Sequence, residues 1–188
     1  MRLAGALTPA QAAAFWRLGL LNGDDISRLA MTWLEAGSAS VNVAVLASEP
    51  RTTLWEHGAL FEAALAELGA EPMMGKQQAA WHTIRSLLGA IVVGDLDPLD
   101  GAHDIIDLQR AGFGLFPPRN LAGDGRPYAG EELGIERLLG LYYELDDIDL
   151  PEKRAVEAKR ELREEAGRVL EQYYTNPPSF DEGERSHD

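Results

Sequence analysis

Residues 82–110 read HTIRSLLGAIVVGDLDPLDGAHDIIDLQR, and this stretch decides the fold class. Ile84, Leu87, Leu88, Ile91 and Val92 recur at the three- and four-residue spacing that puts side chains on one face of a helix. The spacing predicts a helix from Lys76 to Val93 that buries this stripe, with Gly94 placed to take the left-handed conformation that closes a helix. Asp97-Pro98 then starts a second helix. Asp97 can accept from the free N–H groups of the first turn, and Pro98 suits the first helical position because its missing N–H would have no partner there. Asp100 adds negative charge where the helix dipole favours it. Ala102, Ile105 and Ile106 continue the apolar side, which is expected to pack back against the first helix.

Working outward toward the N-terminus, Thr8-Pro9-Ala10-Gln11 has the form of a capping box. The helix it opens should bury Ala14, Phe15 and Leu18 and close at Gly19 to Gly23. Asp24 or Asp25 is expected to cap the next helix, with a stripe of Ile26, Leu29, Ala30, Trp33 and Leu34 and a stop at Gly37. Val41, Val43 and Val45 alternate as a strand would, but a lone strand has no partner for its backbone groups, so a short helix is favoured for 38–50. Thr53-Leu54-Trp55-Glu56 is a second capping box ahead of a helix ending at Gly69.

Toward the C-terminus, residues 111–130 are too rich in glycine and proline for a regular element, and a loop of this length is a functional segment or a linker. Helical periodicity resumes at 131–145 through Leu133, Ile135, Leu138, Leu139, Leu141 and Tyr142. Pro151 opens a charged helix to about Tyr174, with Val156, Lys159, Leu162, Ala166, Val169 and Leu170 as a narrow stripe and pairs such as Glu164 with Arg168 on the outer face. The expected architecture is all-α: a multi-helix orthogonal bundle in one domain, 1–174, with a C-terminal charged helix and a disordered tail, 175–188.

The 188 residues suffice to bury about 70% of the unfolded surface. The formal net charge is −14, spread over both halves of the chain, and no stretch offers the basic face that phosphate binding requires, so nucleic acid is excluded as a partner. Such a field steers a basic protein inward. With no cysteine there are no disulfides or thiolate metal sites. The apolar N-terminus lacks a basic cluster before its apolar run, and no segment reaches about 18 uninterrupted apolar residues. A cytoplasmic protein that neither spans nor binds a membrane is therefore expected.

Asp95, Asp97, Asp100 and Gly101 outline a calcium loop, but the register fails because Leu99 and Ile106 occupy ligand positions. His103 and Asp107 stand four apart with Asp100 and Asp104 nearby, a spacing that suits a divalent ion or acid–base pair as well as an ordinary surface hydrogen bond. The surface bond is preferred, and His57 and His82 are read in the same way. Trp16, Trp33, Trp55 and Trp81 are assigned to the core in preference to ligand stacking. No metalloprotease helix, phosphate-binding glycine loop or nucleophile elbow is found, so no catalytic, cofactor-binding or metal-binding residue is assigned and no cofactor is expected. Asp146, Asp147 and Asp149 precede Pro151. They suit either the N-terminus of the last helix or a docking patch for a basic partner.

Residues 18–37, LGLLNGDDISRLAMTWLEAG, and 91–105, IVVGDLDPLDGAHDI, resemble a set of small acidic bacterial proteins. The shared pattern is glycine, acidic residue, aliphatic, Asp-Pro, any residue, acidic residue, Gly-Ala, matched here by Gly94, Asp95, Leu96, Asp97, Pro98, Asp100, Gly101 and Ala102. Leu99 stands where an aromatic is frequent in that set. The resemblance implies a helical bacterial cytosolic protein with no assigned reaction. Charge, small size and the lack of catalytic signatures together point to a protein-binding module, such as an immunity-type partner that neutralises a basic protein. A metal-dependent enzyme and a structural module that oligomerises through the last helix are the alternatives.

Overall fold

The computed structural model describes residues 7–48, 54–72, 74–110, 134–145 and 151–175. Eight α-helices and no strand occur among them, and the protein is all-α. They are α1 (Pro9–Arg17), α2 (Gly23–Glu35), α3 (Val41–Ser48), α4 (Leu54–Glu67), α5 (Lys76–Val93), α6 (Pro98–Arg110), α7 (Glu136–Leu145) and α8 (Glu152–Thr175). The capping box at Thr53, loop 111–130 and tail residues 176–188 lie outside the described residues. The helices divide into two compact units: one holds α1 to α4 and α5 as far as Thr83, and the other holds α5 from Ile84 with α6, α7 and α8.

In the first unit the helix boundaries follow local chemistry. Thr8 caps α1 through its side chain, and the Gln11 side chain returns to the Thr8 N–H, completing the expected capping box. The cap of α2 is Asn22, ahead of Asp24 and Asp25, the aspartates expected to serve. Its side chain accepts from the Asp25 N–H at 3.0 Å while the Asp25 carboxylate accepts from the Asn22 N–H at 3.2 Å. Asp25 is thus the third residue of the helix, buried, and its second oxygen takes Arg28 Nη2 at 2.7 Å. α1, α2 and α4 end in the same way. Gly19, Gly37 and Gly69 have φ of +69°, +92° and +75°, and each helix closes with two further backbone bonds, such as Gly37 N–H to Leu34 O and Ser38 N–H to Trp33 O. These are Schellman stops, which satisfy carbonyls left open at a helix end.

Residues 41–48 are a helix, so the valine alternation did not signal a strand. Ser40 caps it through Val43 N–H, and Val43 and Leu46, three apart, are its buried residues, while Val41 is 73% exposed. α2 packs on α3 and α4, α3 on α4, and α1 on α4. At the centre the Phe61 ring lies parallel to Trp33 at 6.0 Å and edge-on to Trp16 at 5.6 Å. The two indole N–H groups find acceptors, Trp33 on Leu7 O and Trp16 on Glu62 Oε1, as amphipathic aromatics require when buried. Trp81 is also buried, and the Trp55 side chain lies outside the described residues. Leu34, expected in the α2 stripe, is 41% exposed because Trp33 and Leu29 already fill the inward face.

In the second unit, Ile84, Leu87, Leu88 and Ile91 of α5 are buried, as the spacing predicts, while Val92 turns outward. α6 makes its close backbone approaches to α7 and α8, and meets α5 at the turn that joins them. α7 begins at Glu136, and Gly134 just before it has φ +64°, outside the helical range. The face that α8 buries is Ala158, Leu162, Glu165, Ala166, Val169 and Tyr173. Val156, placed in that stripe by spacing, is 66% exposed, and Leu170 is half-buried. Glu165 is a charged residue in this core. It takes Arg168 Nε at 3.0 Å and Nη2 at 2.6 Å, and Arg168 also donates to the Gly134 carbonyl, tying α8 to the start of α7. The expected Glu164 to Arg168 pair is replaced by Arg160 with Glu164 at 3.7 Å.

Candidate functional site

The residues that carry charge onto one described surface lie in the turn between α5 and α6 and along α6. Between Arg85 and Arg110 the sequence holds five aspartates and no lysine or arginine. Asp100, Asp104 and Asp107, at four- and three-residue spacing, share one helical face. Asp97 and Asp95 extend the negative surface around the helix N-terminus, and both are exposed.

The turn that presents this face is built tightly. α5 ends with Gly94 N–H on Ala90 O at 3.1 Å and Leu96 N–H on the same carbonyl at 3.2 Å, a wider closure than the Schellman stops of the first unit. Gly94 has φ +89°, so its glycine is required for conformation; open space surrounds the position a Cβ would take. Gly101 is required for space. A Cβ there would stand 2.6 Å from Ile91 Cγ1 and Cδ1 and 2.9 Å from Leu96 Cδ2.

Asp97 caps α6, with Oδ1 accepting from the Leu99 N–H at 2.9 Å. Its other oxygen receives Lys159 Nζ of α8 at 3.0 Å. Each carboxylate oxygen therefore holds one protein hydrogen bond. Lys159 falls in the apolar stripe that spacing predicts for α8, and no local signal pairs it with a residue 62 positions away.

His103 joins α6 to α7. Its Nε2 stands 3.2 Å from Asp107 Oδ2 and its Nδ1 2.9 Å from the Tyr142 hydroxyl, with the two rings tilted at 5.9 Å. The carboxylate accepts only, so Nε2 carries the proton facing it, and in the neutral imidazole Nδ1 accepts from Tyr142. Both ring nitrogens are engaged, so a substrate proton would have to displace one of these bonds. The arrangement is a surface link, as preferred from spacing, with Tyr142 as a third member that spacing alone did not show.

Among the described residues no three or more His, Asp or Glu side chains gather where they could hold a metal ion. Asp97, Asp100, His103, Asp104 and Asp107 fan along the helix without converging. His57 is 2% exposed on α4, its Nδ1 3.4 Å from the position of a Cβ on Gly23, with no hydrogen-bond partner for either ring nitrogen among the described residues. Asp146, Asp147 and Asp149 lie outside the described residues.

On the far side of α7 and α8 the charges are matched. Arg154 donates from Nε and Nη2 to the two carboxylate oxygens of Glu144, at 2.5 and 2.7 Å, and from Nη1 to Glu161 at 2.7 Å. These hydrogen bonds hold both glutamate carboxyls below their usual range and push the guanidinium further up. A depression of about 460 Å³ lies beside the first turns of α8, lined by Glu152, Lys153, Val156 and Glu157.

Among the described residues no helix is long and apolar enough to cross a membrane. Compared with protein-family models, curated proteins and solved structures, the chain matches none.

Proposed function

We propose that this chain is a protein-binding module whose acidic surface receives a basic protein, in the manner of an immunity-type or neutralising partner. The observation that carries the reading is the run of five aspartates on the α5–α6 turn and α6 without an intervening lysine or arginine, within a chain of net charge −14. Lys159 pairs with Asp97 and His103 with Asp107. Asp146, Asp147 and Asp149, which follow α7 in sequence, are proposed as further partner contacts. The same reading makes the chain a bacterial cytoplasmic protein of the small acidic set that it resembles through Gly94 to Ala102. It does not act on nucleic acid in this reading, and it requires no cofactor.

Complementary potentials speed encounter and suppress wrong partners, and they weaken as salt screens them. The test compares the tagged wild type with Asp100→Asn/Asp104→Asn/Asp107→Asn in capture from the source cell at low and moderate salt. Circular dichroism checks that the variant is folded. The reading expects a defined basic protein retained by the wild type, less of it at higher salt, and at least tenfold less on the variant. Equal retention by the two forms, or no protein retained by the wild type at low salt, overturns it.

A further inference from the structure

We draw no further inference here: the strongest candidate, the buried His57 side chain of α4 against Gly23 at the start of α2, has two ring nitrogens without hydrogen-bond partners among the described residues, but nothing in the structure shows a space beside them for a ligand, since Nδ1 lies only 3.4 Å from where a Cβ on Gly23 would stand, while the acidic face of α6 belongs to the site already described and nothing shows what covers the exposed Met31, Leu34 and Val41.

Discussion

The two units are stabilised by different means. In the first, three helices stop at glycines with positive φ and the centre is an aromatic stack, Trp16 and Trp33 against Phe61. In the second, charged side chains tie α8 to its neighbours: Arg154 to Glu144 of α7, Arg168 from beside Glu165 to the Gly134 carbonyl ahead of α7, and Lys159 to Asp97 at the start of α6. Aromatic burial contributes through area and shape and involves no titrating group and no charge for salt to screen. Partly exposed ion pairs contribute less, and what they contribute depends on both salt and pH. Each kind of unit should therefore fail in its own way.

The largest effect belongs to the aromatic centre. Phe61 is fully buried between two indoles, and Phe61→Ala should cost about 3–5 kcal/mol in urea unfolding. Tryptophan emission should shift with it, because Trp16 and Trp33 lose their common neighbour. A loss below about 1 kcal/mol would break the contrast, since the first unit would then rest on something other than its core.

Next is the turn of the second unit. Gly101→Ala replaces a poor helix former by the best one, a gain of about 1 kcal/mol in an unhindered helix. The added carbon would stand 2.6 Å from Ile91 Cγ1, an atom close to the α5 backbone that cannot swing aside as a chain end does. Overpacking of this kind costs about 1–3 kcal/mol, so the net change should be destabilising in thermal unfolding. A stabilised Gly101→Ala protein would show that the two helix ends separate easily.

Asp97→Ala should cost about 0.5–2 kcal/mol through loss of the α6 cap. Lys159→Ala removes a pair that is roughly two-fifths exposed on both sides, for which about 0–1 kcal/mol is expected. A double-mutant cycle in chemical denaturation separates the two roles of Asp97. If the coupling energy approached the whole cost of Asp97→Ala, the bond to α8, and not the cap, would be the reason for the residue.

How far the sequence is legible follows the same division. The box at Thr8, the stops at Gly19, Gly37, Gly69 and Gly94, the Asp97-Pro98 start and the buried face of α5 all involve residues within about six positions of each other, and spacing reveals them. Spacing favours the two aspartates after Asn22 as caps, yet Asn22 caps the helix because Asp25 answers it from the third helical position. Spacing phases the inner face of α8 toward Val156 because Glu165 looks like a surface residue. Arg168 beside it and Arg137 of α7, 3.9 Å away, make its burial tolerable. Tyr142 on His103 and Lys159 on Asp97 are 39 and 62 positions apart, and no helical period reports such pairs. The acidic face of α6 is legible in the absence of lysine and arginine between Arg85 and Arg110, a less conspicuous signal than the clustered aspartates at 146, 147 and 149.

The smallest effect is the most diagnostic of the second unit. Glu144 and Glu161 share Arg154, and both carboxyls titrate below their ordinary value of 4.5 in the folded chain, chiefly because the guanidinium hydrogen-bonds the ionised form. A group whose folded pKa is lowered contributes stability that is complete above its unfolded pKa and is lost as pH falls through the folded one. The wild type should therefore exceed Arg154→Leu in stability at pH 7, and the gap should close below about 4.5 as the carboxyls take up protons. High salt at pH 7 should narrow it as well, since all three side chains are partly exposed. Arg160→Leu is the control: its partner Glu164 stands 3.7 Å away on the same helix with both side chains 69% exposed, and its loss should leave the pH profile unchanged. A gap between wild type and Arg154→Leu that stayed constant from pH 7 to pH 3 would mean that Arg154 acts through its aliphatic stem packed along α8, and the charge-based account of this unit would lose its clearest member.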